Sequence, residues 1–176
     1  LARALIRIDS RNPTLVPNAP GEGEVARILA SILDEWGFSV QLADAAPGRP
    51  NVVARIGPSD APALMLNGHL DVVGVEGMVH EPFAAEMRSG RIYGRGSADM
   101  KGGLAAMCAA ATLVSKRSNA QVVIAAVVDE EYESLGLRAG RILRCYGEID
   151  AISADRVNAY FAMNNGHSYF AEAPQM

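Results

Sequence analysis

Val122-Val123-Ile124-Ala125-Ala126-Val127-Val128-Asp129-Glu130-Glu131 is an unbroken apolar run, mostly β-branched, that ends in three consecutive carboxylates. Such a run predicts a strand covered on both faces, and therefore a central one. Ala63–Asn67 is a second apolar strand, and it runs straight into Gly68-His69. Phe38–Leu42 and Asn51–Ile56 read as further strands, with Asp44–Pro50 a turn-rich link and Gly57-Pro58 a stop.

Helical patterns lie between these strands. From Gly21 to Trp36, Val25, Ile28, Leu29, Ile32, Leu33 and Trp36 follow a 3.6-residue period, and Gly37 ends the segment. Glu22 and Glu24 are expected in its first turn, facing the helix dipole. Lys101–Ser115 is rich in Ala and Gly and predicts a buried, closely packed helix; Leu135–Tyr146 predicts another. Residues 1–8 read as a short helix broken by Asn12-Pro13, and residues 14–20 as loop. The glycine-rich stretch 72–98 reads as a long loop with a hairpin near Met87–Tyr93, and loops of that length are usually functional. Ile149–Ser153 and Tyr160–Phe170 are expected as the last strands. The alternation of strand and helix predicts an α/β fold: three layers, α/β/α, around a mostly parallel (mixed) sheet. Ligands of such sheets gather at the carboxyl ends of the strands.

The chain has 176 residues, 16 basic and 20 acidic ones, and a net charge of −4. No basic patch suggests nucleic acid. No apolar run reaches the roughly 18–20 residues of a membrane span. The N-terminal Leu1–Ile8 lacks a signal-peptide pattern and an initiator Met, so the chain is expected to begin inside a longer one. Cys108 and Cys145 have no ligand spacing and read as buried thiols of a reducing compartment, which places the protein in the cytoplasm.

Three clusters carry the chemistry. His69 and Asp71, two apart in an extended segment, point the same way; the imidazole can bind a metal and the carboxylate can fix its far nitrogen, unless the pair is only a polar strand end. Asp99 precedes a helix and suits either an N-cap or a carboxylate bridging two cations. In Asp129-Glu130-Glu131, one glutamate can bind a metal while its neighbour takes a proton; a solvated turn capping the next helix is the other reading. Nitrogen and oxygen donors at strand ends suit Zn²⁺. Arg95 and Lys101 are expected as charge partners of these carboxylates, and His80 and His167 as loop or surface residues.

Taken together, Asn67-Gly68-His69-Leu70-Asp71-Val72-Val73, Glu81-Pro82-Phe83, Ile92-Tyr93-Gly94-Arg95-Gly96, Asp99-Met100-Lys101-Gly102-Gly103 and Asp129-Glu130-Glu131 resemble the zinc amidohydrolase and peptidase family of acetylornithine deacetylase, succinyl-diaminopimelate desuccinylase, aminoacylase and glutamate carboxypeptidase. The resemblance implies a zinc-peptidase-like catalytic domain holding two Zn²⁺, with Co²⁺ or Mn²⁺ as substitutes. His69 would bind one zinc and Asp71 would orient it. Asp99 would bridge both, with a cis peptide bond after it. Glu130 would be the general base and Glu131 a ligand of the second zinc. Asp155 falls where the family has a ligand glutamate, but the Pro-Thr that follows that glutamate is missing.

The family is also longer. Its lid or dimerisation domain and a late histidine ligand follow the point where this chain stops, so residues 1–176 are expected to be an incomplete catalytic domain, weakly active or inactive alone. The implied substrate is an N-acyl amino acid or dipeptide, with no nucleic acid or membrane partner, and a homodimer only for the full-length protein. Two other readings fit the residues: a non-catalytic module that keeps the metal motifs, and a phosphate site at Gly94-Arg95-Gly96 with the helix behind it.

Overall fold

The apolar run that ends in carboxylates forms β6 (Gln121–Val127), the third strand of a four-stranded sheet whose order is β1 (Ser39–Ala46), β2 (Arg49–Ile56), β6 and β3 (Ala63–His69). This computed structural model describes residues 1–138. The other elements of the chain are α1 (Ala2–Ile6), α2 (Gly23–Glu35), β1 (Ser39–Ala46), β2 (Arg49–Ile56), β3 (Ala63–His69), β4 (Glu86–Arg88), β5 (Arg91–Tyr93), α3 (Lys101–Ser115) and α4, described over Leu135–Arg138. The expected strands Ile149–Ser153 and Tyr160–Phe170, the rest of the last helix, and Cys145, Asp155 and His167 lie outside the described residues.

β6 alternates between two apolar faces. Val122, Ile124, Ala126 and Val128 pack on one side with Val52 and Ala54 of β2, with Leu5 of α1, with Val25, Leu29 and Leu33 of α2, and with Leu104, Cys108 and Ala111 of α3. Val123, Ala125 and Val127 face the other way, with Val53, Met65 and Leu137. The expected helical cover on both faces is therefore seen: α1, α2 and α3 on one side, the start of α4 on the other. The sheet is mixed, as expected. However, β3–β6 is its one parallel pairing among the described strands; β1–β2 and β2–β6 are antiparallel. β1 and β2 are joined by the tight Pro47-Gly48 turn, and a connection that short permits only antiparallel neighbours.

Helix boundaries follow the local signals closely, burial less so. In α2 the core face is Val25, Ala26, Leu29 and Leu33, whereas Ile28 and Trp36 flank it and remain 39% and 37% exposed. α3 buries one stripe, Lys101, Leu104, Cys108 and Ala111, and leaves Leu113 and Val114 to solvent, so it is half-buried rather than enclosed. Among the described residues, no helix is long and apolar enough to cross a membrane.

The parallel pairing of β3 with β6 positions the site. Its register sets His69 beside Val127, and the Leu70 amide donates to the Val127 carbonyl at 2.8 Å. Both strands therefore end together, and the residues that follow each of them emerge side by side. The N-terminal segment joins them: the Asn12 amide donates to the Val72 carbonyl at 2.9 Å, and Ser10 Oγ to the Leu70 carbonyl at 2.7 Å.

Candidate metal centre

His69 is the last residue of β3 and is 1% exposed. Its Nδ1 lies 3.0 Å from the Asp71 carbonyl oxygen and 3.5 Å from Asp71 Oδ1. Those acceptors favour a proton on Nδ1, which leaves the Nε2 lone pair pointing outward. There it meets Asp99 Oδ1 at 3.1 Å and Glu130 Oε2 at 3.7 Å. A lone pair aimed at carboxylate oxygens needs positive charge between them, either a proton or a cation. One donor atom each from His69, Asp99 and Glu131 lies within 4.8 Å of the others. One nitrogen and two carboxylate oxygens at that spacing fit a divalent ion such as Zn²⁺.

Protonation reflects the crowding. Burial alone would lower the His69 pKa, but Asp71, the Glu130 charge and the hydrogen bond to Asp99 outweigh it and push it up to about 9. Burial raises Glu131 to about 6, with Asp99, Asp71 and Glu130 adding to it and His69 opposing. Asp71 moves the other way. Burial would raise it, but His69, Asn12 and the Glu131 amide hold it below its ordinary value.

Asp71 does more than face the imidazole. The Glu130 amide donates to its Oδ1 at 3.0 Å and the Glu131 amide to its Oδ2 at 3.1 Å. The same carboxylate thus touches the histidine on one strand end and anchors the glutamates beyond the other. Asp99 sits in the loop before α3 with its side chain 59% exposed. Met100, not Asp99, occupies the N-cap position of α3, and no side-chain cap bond is made there. The Asp99–Met100 peptide bond is cis.

Several expectations are corrected. Asp129 does not belong to a solvated acidic turn: it is 3% exposed, has a φ of 64°, and accepts from Asn12 Nδ2 and Arg49 Nη2, each at 3.0 Å. Glu24 lies in the first turn of α2 as expected, while Glu22 is its N-cap residue; Glu22 is fully buried and binds Arg49 through two bonds of 2.6 and 2.7 Å. Among the described residues Lys101 makes no hydrogen bond to a carboxylate; its buried Nζ donates to the Leu5 and Ile8 carbonyls at 3.0 and 2.9 Å, and burial lowers its pKa to about 8. Arg95 Nε is buried without a hydrogen-bond partner among the described residues.

Three of the amides on which the phosphate reading of Gly94-Arg95-Gly96 would draw are occupied. The amides of Arg95, Ser97 and Lys101 already donate to the Pro82, Gly94 and Gly96 carbonyls. His80 packs edge-on against Tyr93, consistent with a loop role, and Cys108 is a buried thiol. A hollow of about 930 Å³ opens near Val75, Val79 and Met87, but none of the site residues lines it.

Asn12, Glu22 and Arg49 were not anticipated as site residues. Each is an ordinary polar residue in a loop, a helix start or a strand. Only the three-dimensional meeting of distant segments makes them partners.

Fold and site define a class: an α/β chain that collects an imidazole and carboxylates at the shared carboxyl end of two parallel strands, where they can hold a divalent cation. The description Peptidase family M20/M25/M40 matches residues 65–173, and the chain belongs to that family. It is 34% identical over 145 residues to the N-formyl-4-amino-5-aminomethyl-2-methylpyrimidine deformylase of Bacillus subtilis, covering 77% of this chain and 33% of that protein. It is 44% identical over 117 residues to a succinyl-diaminopimelate desuccinylase of Methylorubrum extorquens, covering 62% and 28%. Among solved structures, the M20 family metallo-carboxypeptidase Sso-CP2 of Sulfolobus solfataricus superposes with a TM-score of 0.63 at 26% identity, covering 74% of this chain and 30% of that one. Human carnosine dipeptidase 1 shares the fold, with a TM-score of 0.64 at 22% identity over 77% of this chain and 32% of its own. The chain spans about a third of the length of the curated relatives it matches.

Proposed function

We propose that the chain is the N-terminal part of the catalytic domain of a metal-dependent hydrolase that cleaves the amide bond of a small N-acyl amino acid or peptide. The observation that carries this reading is the meeting of His69, Asp99 and Glu131 donor atoms within 4.8 Å, with the Glu130 carboxylate beside them. The named activities of the relatives support the substrate class: a deformylase and a desuccinylase each remove an acyl group from an amine. The metallo-carboxypeptidase among the structural neighbours supports a metal.

In this reading His69, Asp99 and Glu131 would hold a pair of divalent cations, Zn²⁺ in preference to Co²⁺ or Mn²⁺. Asp155 is an additional ligand by position in the sequence. When bound, the cations supply Lewis acidity that polarises a carbonyl and acidifies water. Glu130, the carboxylate beside the ligand trio, takes a proton from water on its Oε atoms and later returns it to the leaving amine. Asp71 holds the imidazole in one tautomer and holds the Glu130 backbone, so the base and the metal ligands keep a common frame. Residues 1–176 carry this half of the machinery.

The test is Glu130→Gln in the longer protein that contains this chain. Turnover of N-succinyl and N-formyl amine substrates should fall by about 10²–10⁴-fold, the usual worth of a general base. Co²⁺ binding should stay within a few-fold of the parent. Near-parental turnover would remove Glu130 from its role. Metal binding without any amide hydrolysis by the longer parent would favour a binding module instead.

A further inference from the structure

Asn12 is wholly buried and its side chain is committed on every side. Its Oδ1 accepts from the Thr14 amide at 2.9 Å, and its Nδ2 donates to Asp71 Oδ2 at 2.8 Å and to Asp129 Oδ1 at 3.0 Å. An amide nitrogen has two protons, and here each goes to a different buried carboxylate. Those carboxylates anchor the glutamate turn from both sides. Asp71 receives the Glu130 and Glu131 amides; Asp129 receives the Glu133 and Leu135 amides at 3.3 and 3.4 Å. Behind Asp129, Arg49 binds both it and Glu22, and Glu22 Oε1 accepts the Asp129 amide at 3.1 Å.

We propose that Asn12 is a positioning residue of the metal centre: by donating to Asp71 and Asp129 together, its side-chain amide sets where Glu130 and Glu131 stand relative to His69. This rests on the metal-site reading given above. A neutral double donor is the one group that suits the spot. Asp129 and Glu22 already share the Arg49 guanidinium, and Asp71 faces the His69 imidazole, so another acceptor between Asp71 and Asp129 would add repulsion with no partner. An apolar residue would leave both carboxylates one donor short. Asn12 touches none of the three candidate ligand atoms. It acts through Asp71, whose carboxylate reaches both the imidazole and the glutamate backbone.

The experiment uses the 176-residue chain, with Co²⁺ alone as the probe. Visible absorption of the bound ion reports ligand geometry, and titration reports its dissociation constant. Asn12→Ala should weaken Co²⁺ binding by about 10–100-fold, as loss of groups that orient metal ligands typically does, and should alter the absorption bands. Asn12→Ser, which is smaller but keeps one donor, should fall between Ala and the parent and keeps the test usable if the alanine variant folds poorly. Leu33→Ala, a core truncation remote from the site, serves as the control: it should lower the melting temperature and leave the Co²⁺ spectrum unchanged.

Amide proton shifts of Glu130 and Glu131 in the metal-free chain give a second readout, and both should move in the Asn12 variants. Parental Co²⁺ affinity and spectrum in the Asn12 variants would overturn the proposal. So would unmoved Glu130 and Glu131 amides, or a change no larger than that of Leu33→Ala. If the parent itself shows no bound Co²⁺ spectrum, the metal-site reading fails. The amide shifts then still decide whether Asn12 positions the glutamates.

Discussion

His69 and Glu131 hold their protons more tightly in the folded chain than in the unfolded one, and that fixes the sign of a pH effect. His69 rises from an ordinary 6.5 to about 9 and Glu131 from 4.5 to about 6. Stability contributed by a raised group is complete below its unfolded value and is lost as pH climbs through its folded value. Lys101 opposes this, since its value falls from 10.5 to about 8 and its contribution recovers as pH rises between those limits. Asp71, held low, loses its contribution only as pH falls below the ordinary 3.8 of an aspartate, outside this range. The metal-free chain should therefore lose thermal stability from about pH 4.5 to about 8, then level off. Melting curves in a chelator across that range check it; a melting temperature that climbs between pH 6.5 and 8 would contradict the His69 environment described above. A cation competes with the same protons, so its apparent affinity should strengthen with pH over the window in which the free chain weakens.

Gly102 and Gly103 look alike in the sequence, two small residues at the start of an Ala-rich helix, yet the packing separates them. A Cβ on Gly102 would collide with the Ser97 backbone carbonyl, which cannot rotate aside, whereas one on Gly103 would meet only the end of the Met100 side chain at 3.7 Å. Gly102→Ala should cost about 1–3 kcal/mol, the usual range for overpacking. It should also weaken metal binding, because the loop it displaces carries Asp99. Gly103→Ala should be neutral or stabilise by up to about 1 kcal/mol through helix propensity. Chemical denaturation of both variants checks the pair, and equal effects would refute the contact. The example shows what local pattern can and cannot reveal. The bounds of α3, the β4–β5 hairpin and the central place of β6 were readable because each depends on neighbours in the chain. So were His69 and Glu131 as candidates, since each follows an apolar run, and Asp99, since it stands just before a helix. The roles of Asn12, Glu22 and Arg49, the desolvation of Asp129 and the carbonyl-bound Lys101 were not readable, because each depends on a partner far away in sequence. The direction of the β2–β6 pairing escaped for the same reason, whereas that of β1–β2 was within reach of the sequence, since the two-residue link Pro47-Gly48 permits only antiparallel neighbours.

The candidate site ties the molecule together from end to end of the described chain. It draws on Asn12 near the N-terminus, Arg49 on β2, His69 and Asp71 at the end of β3, Asp99 before α3, and Glu131 beyond β6. The candidate ligands His69, Asp99 and Glu131 lie far apart in the sequence and would not be near one another in an unfolded chain, so a cation binding here binds the folded state almost alone and must raise its stability by linkage. At a free metal concentration one hundred times the dissociation constant, the gain is about 2.7 kcal/mol. For a domain of this size that corresponds to a melting temperature higher by about 5–10 °C. Zn²⁺ or Co²⁺ should produce this rise, a chelator should reverse it, and His69→Ala or Glu131→Ala should abolish it. Leu33→Ala should keep the full increment on top of a lower starting point, because it weakens the core shared by α2 and the sheet and leaves the ligands in place. An equal rise in the His69 and Glu131 variants would mean that the ion binds elsewhere, and the strand-end cluster would then be an acidic surface and not a metal centre.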